Sequence, residues 1–184
     1  MKTIKLLSIL FISSILLQSC SNDDDTPEEV NEEELITTLI ATLRDASTGS
    51  SVTLTFRDLD GDGGDDPVVT PGTLAANTTY NGTIQVLNET ETPAEDITLE
   101  VLEEDDEHQF LYVIGGGLNA TTEYTDADGD GNPIGVTFNL TTGDASSGTL
   151  TFILRHEPTK PNDGTPASAG GETDISAPIP VNVQ

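Results

Sequence analysis

Alternation of apolar and polar residues at every second position runs through this chain and limits what it can fold into. Val52, Leu54 and Phe56 alternate with Thr53, Thr55 and Arg57, and Val136, Phe138 and Leu140 alternate with Thr137 and Asn139. Leu150, Phe152 and Leu154 repeat the pattern with more mixed partners. Successive side chains of an extended strand point to opposite faces, so this spacing sends one set to a core and leaves a Thr-rich set in water. Thr83 to Leu87 and Gln109 to Ile114 extend the series, and the second, apolar on both faces, is expected in the middle of a sheet. Ile175 to Val183 contains Pro178 and Pro180, which have no N–H for a ladder, so it is expected at an edge.

Two segments dispute an all-strand reading. Asn31-Glu32-Glu33-Glu34 could cap a helix carrying Leu35, Leu39 and Leu43. Ile36, Thr37, Thr38, Ile40 and Thr42 are β-branched and costly in a helix, and a strand is expected there. Thr92-Pro93-Ala94-Glu95 looks like a helix start, and for Ile97 to Glu104 helix and strand stand level. Glu157 to Asp174, rich in Pro, Gly, Thr and Ala, reads as a long loop. With 34% hydrophobic residues in 184, the chain supports one modest core. The expected fold is all-β: a two-layer antiparallel β-sandwich, immunoglobulin-like, of seven or eight strands, with a small barrel as the alternative.

The first residues read as an address. Lys2 and Lys5 precede the mostly apolar run Leu6 to Leu17, shorter than the roughly 20 residues that span a bilayer. The run ends Leu17-Gln18-Ser19-Cys20, with the chain's one Cys, and resembles the bacterial lipoprotein signal. The resemblance implies removal of residues 1–19 and lipidation of Cys20, which is enough acyl chain for stable anchoring. Eight acids between positions 23 and 34 make a self-repelling tether over 20–34, leaving 35–184 as the folded domain. The Asp23-Asp24-Asp25 cluster is similar to the export signal that sends Bacteroidetes lipoproteins to the outer face of the outer membrane. A periplasmic location is the alternative.

Charge removes two classes of partner. The chain has 33 Asp and Glu against six Lys and Arg, a formal charge of -27. Such a surface repels nucleic-acid phosphates and anionic headgroups, so neither nucleic acid nor direct adsorption to a membrane is expected. Once residues 1–19 are removed, 33 acids face only Arg44, Arg57, Arg155 and Lys160, a formal -29.

Some of those acids carry a pattern. Asp58, Asp60 and Asp62, and again Asp126, Asp128, Asp130 and Asn132, place oxygen donors at alternate loop positions with Gly between them. That spacing can wrap a hard cation such as Ca2+. The twelfth loop positions are Val69 and Thr137 rather than Glu, so each loop is half of such a site or simply an acidic turn. His108 and His156 are the only histidines, and with nearby carboxylates they could hold Zn2+ or another transition ion. Their 48-residue separation has no diagnostic spacing, so His108 at a solvated strand start and His156 at a strand end is the expected reading and the metal site its alternative.

No nucleophile elbow or phosphate loop is present, and abundant acids make carboxylate pairs uninformative, so catalysis is not expected. Gly135-Val136-Thr137-Phe138-Asn139-Leu140, Leu154-Arg155-His156-Glu157-Pro158 and Gly171-Glu172-Thr173-Asp174-Ile175 resemble a group of small Bacteroidetes envelope lipoproteins. Some of these carry the label of a type 1 periplasmic binding fold, which needs two α/β lobes and about twice this length. The resemblance implies an envelope protein near an outer-membrane receptor or transporter. The expected function is a noncatalytic, surface-exposed binding or accessory module, with a structural or adhesin-like domain and a Ca or Zn capture protein as alternatives.

Overall fold

A computed structural model describes residues 34–61 and 63–184. The signal segment, Cys20, most of the tether and Asp62 lie outside the described residues. In chain order the strands are β1 (Thr38–Asp45), β2 (Ser51–Arg57), β3 (Val68–Thr70), β4 (Gly72–Leu74), β5 (Thr79–Asn88) and β6 (Glu95–Asp96). After a helix α1 (Thr98–Glu103) come β7 (His108–Gly115), β8 (Ala120–Tyr124), β9 (Thr137–Thr142) and β10 (Ser146–His156). A four-residue helix α2 (Pro166–Ala169) and β11 (Glu172–Val183) complete the chain.

These strands form two layers. One sheet runs β3-β2-β1-β5-β9-β8 with β6 on β5, and the other runs β4-β11-β10-β7. Apart from the parallel pair β11 and β4, the ladders are antiparallel. The fold is an all-β sandwich, and the two sheets of the described residues do not close into a barrel. Among the described residues, eight strands have five residues or more, and β3, β4 and β6 are short additions. The alternating apolar sets meet between the layers: Leu39, Leu43, Leu54, Phe138 and Leu140 from one sheet, Phe110, Leu150, Phe152, Leu154 and Ile179 from the other, all almost fully buried. Burying one such side chain is worth about 1.5–3 kcal/mol, so the core holds the layers together.

Three expectations change. Ile97 to Glu104 contains a helix, which starts at Thr98 rather than beside Pro93. The Thr98 hydroxyl accepts from Val86 N at 2.9 Å and so docks the helix on β5. β7 lies at the edge of its sheet, not in the middle. Its inward face meets the core through Phe110, while Gln109 on the opposite face accepts from Asn162 Nδ2 at 2.6 Å. The 157–171 segment therefore meets that face at Gln109, while Val113 farther along it is 37% exposed. β11 sits between β4 and β10, yet β4 joins only at Val181, Asn182 and Val183. Pro178 and Pro180 thus keep to the stretch that has β10 as its one ladder neighbour among the described residues.

Candidate metal centre

The inward column of β10 is Leu150, Phe152, Leu154 and then His156. The antiparallel register sets Leu154 against Phe110 and His156 against His108. Two histidines far apart in sequence thereby become neighbours where the apolar column stops. Their ring centroids are 4.6 Å apart, and their exposures are 0% for His108 and 3% for His156.

A third group arrives through an irregularity. The β10–β11 register slips between Leu154, opposite Ile175, and Arg155, opposite Thr173, so Asp174 is the extra residue of a β-bulge. A bulge re-aims a side chain that regular alternation would send outward. The Asp174 side chain is fully buried beside the equally inward Ile175. The fourth group is Glu34, assigned above to the tether but buried in the folded body, with its side chain 4% exposed.

Glu34 lies between the rings. Its Oε1 is 2.9 Å from His108 Nε2, and its Oε2 is 3.3 Å from His156 Nδ1. Asp174 closes the ring of contacts, with Oδ2 4.0 Å from His108 Nε2 and Oδ1 3.9 Å from His156 Nδ1. One donor atom from each of the four falls within a 4.8 Å span. Donors around a tetrahedral Zn2+ with bonds of about 2.0–2.1 Å stand about 3.4 Å apart, in the middle of the observed contacts. Despite its closeness, the His108 to Glu34 approach lacks the directionality of a hydrogen bond.

Tautomer and charge agree with an ion. His108 Nδ1 lies 3.2 Å from the Glu104 carbonyl, which can only accept, so Nδ1 carries hydrogen and Nε2 is left to face the carboxylates. Two buried carboxylates need two positive charges, which either one divalent ion or protonated imidazoles supply. Burial alone would lower the His108 pKa, but contact with Glu34 and the charges of Glu34 and Asp174 outweigh it and raise the value. For Glu34, burial pushes up and His108 and His156 pull down more strongly, leaving it below the ordinary range. Two imidazoles among the donors suit a transition ion rather than Ca2+, which wants six to eight oxygens.

Asp174 and Glu34 also line a cleft of about 480 Å3 with Ile36, Phe56, Asp58 and Ser176. Carboxylate oxygens of Glu34, Glu100 and Glu104 also lie within 4.8 Å of one another, and the exposed Glu100 and Glu104 form an outer acidic set beside the buried Glu34. Burial first, then the charges of Glu34 and Glu104, raise the Glu100 carboxyl above its usual value.

The two Asp-rich loops are arranged differently. Asp126 accepts from Gly135 N and Thr137 N, both at 2.7 Å, and so pins its loop to β9. Asp128 accepts from Asn132 N at 2.8 Å and from Asp130 N at 3.0 Å, and Lys160 Nζ lies 3.3 Å from its Oδ2. A protein cation therefore already sits at Asp128. In the first loop Asp58 accepts from Gly61 N at 3.0 Å, and Asp60 from Asp65 N at 2.8 Å. The described residues of neither loop belong to the groups of acids and histidines that converge on one point.

Sequence reasoning named the two histidines but expected them at solvated strand ends, whereas the β7–β10 register buries both, and it missed Glu34 and Asp174. No spacing could have revealed them, since one depends on a bulge and the other on how the chain enters β1. The chain matches no protein-family model, no curated protein and no solved structure.

Proposed function

We propose that this is a noncatalytic, lipid-anchored protein of the cell envelope that holds one divalent transition-metal ion, with Zn2+ the reference ion, between His108, His156, Asp174 and Glu34. The observation that carries the reading is the convergence of two imidazoles and two carboxylates, all four side chains nearly fully buried, at one end of the sandwich. Four protein donors fill a tetrahedral shell and leave no position for a substrate, which favours a held ion over a catalytic one. Anchoring rests on Cys20 and the acidic tether, and presentation to an outer-membrane receptor or transporter is consistent with both.

Equilibrium dialysis of the full-length protein in detergent against Zn2+, followed by metal analysis, tests the site. One ion per chain is expected for the wild type and for D126A/D128A, and none for H108A/H156A. Zinc bound equally by the double-histidine variant, or by no form of the protein, overturns the reading.

A further inference from the structure

The four proposed ligands are not held alike. His108, His156 and Asp174 belong to β7, β10 and β11, which are neighbours in one sheet. Glu34 stands four residues before β1. The first firmly held residue after it is Thr37, whose N–H donates to Leu87 O at 2.9 Å. The Thr37 hydroxyl donates to the same carbonyl at 3.1 Å and accepts from Glu89 N at 2.8 Å. Between these points Leu35 is 59% exposed and Ile36 rests only partly buried against the core. Among the described residues, Glu34 is thus attached to the body by its own side chain and by one half-buried isoleucine, ahead of a firm pivot at Thr37.

Its position gives this attachment a consequence. The cleft beside the site is bounded by Glu34 and Asp174 and by neither histidine, so it opens onto the carboxylate side. We infer that Glu34 is a detachable ligand: seated, it closes the shell around the ion; drawn away with the segment leading into β1, it opens the shell toward the cleft. This rests on the metal-site reading above. With Glu34 withdrawn, His108, His156 and Asp174 remain as a three-ligand face whose vacant position water or a competing ligand can take. A chain anchored at Cys20 would carry Glu34 only 14 residues from its lipid, so a pull transmitted along that stretch of sequence would be coupled to retention of the ion. The ligand class is a borderline divalent ion, and the strap is specific to this site because no other proposed ligand lies outside the sheet.

Stopped-flow release of Zn2+ from the loaded full-length protein to excess chelator, in detergent, reads the coupling. Wild type is expected to release slowly. E34Q should still take up one ion and release it about tenfold faster or more. I36G, which loosens the segment without touching a ligand, should fall between them. Hydrogen exchange of the peptide covering residues 34–37 should slow when zinc binds to the wild type and not when it binds to E34Q. Far-UV circular dichroism shows whether each variant is folded, and I36G tests the strap should E34Q fail to fold. A wild type that binds one ion and releases it no more slowly than E34Q and I36G overturns the strap alone. A wild type that takes up no zinc overturns the site and the strap with it.

Discussion

Lys160 is one of four basic residues that follow Lys5, and its ammonium points inward. It donates to the Asp105 carbonyl at 2.5 Å and lies 3.3 Å from Asp128 Oδ2, with its side chain only 6% exposed. K160M keeps the volume but leaves Asp128 to the backbone amides of Asp130 and Asn132, and should cost about 2 kcal/mol in urea unfolding. Part of that loss should return in K160M/D128N. The Glu34 and His108 pair meets the same need with a titratable cation, and its pH dependence differs. A raised His108 pKa contributes stability that is complete below the unfolded value of about 6.5 and is lost as pH rises through the folded value. A lowered Glu34 pKa contributes stability present above its unfolded value and lost as pH falls through the folded one. The metal-free protein should therefore draw most from this pair between about pH 4.5 and 6.5. Zinc competes with the His108 proton, so the melting shift it produces should grow from pH 6 to pH 8. At zinc a hundredfold above Kd the shift should be about 5–11 °C, and a shift that shrinks over the same range counts against ligation by His108.

At the scale of elements, the 126–136 loop is built as a clasp on β7. Tyr112 Oη donates to the Gly135 carbonyl, and Phe110 N donates to Ile134 O at 2.7 Å. Gly135 has φ +86°, and a Cβ there would stand 2.9 Å from the Phe110 carbonyl oxygen and 2.9 Å from the Tyr124 ring. G135A should cost about 1–3 kcal/mol by thermal or urea unfolding, through backbone strain and overpacking together. Such a loop explains what was legible beforehand and what was not. Period-two alternation located β2, β5, β9 and β10, because burial against a second layer is a local pattern of residue types. It misplaced β7 within its sheet, because the residue meeting its outer face at Gln109 lies some 50 positions downstream at Asn162. Spacing of Asp and Gly in residues 126–132 could not show whether the carboxylates turn toward an ion or toward their own backbone amides, as Asp126 and Asp128 do. The histidine pair needed only the correct register of two strands; Asp174 needed a slip in it.

The whole molecule carries a formal -27, or -29 after loss of residues 1–19, and its two kinds of cation dependence should separate cleanly. Diffuse self-repulsion destabilises any compact state of this charge, and salt relieves it as the screening length falls from about 30 Å at 0.01 M to about 3 Å at 1 M. Melting temperature should consequently rise with NaCl, by the same increment in wild type, H108A/H156A and D126A/D128A, since the first variant leaves the formal charge unchanged and the second removes two of 33 acids, which barely alters the field. Zinc at micromolar concentration leaves ionic strength unchanged, so its stabilisation should survive in 1 M NaCl and vanish only in H108A/H156A. Ca2+ provides the remaining comparison. At matched ionic strength it should act as a screening salt and raise all three proteins alike, because Lys160 already occupies Asp128 and backbone amides hold Asp126. Extra stabilisation by Ca2+ in wild type that disappears in D126A/D128A would show instead that the loop carboxylates exchange their internal partners for an ion, and would return the calcium reading to that loop.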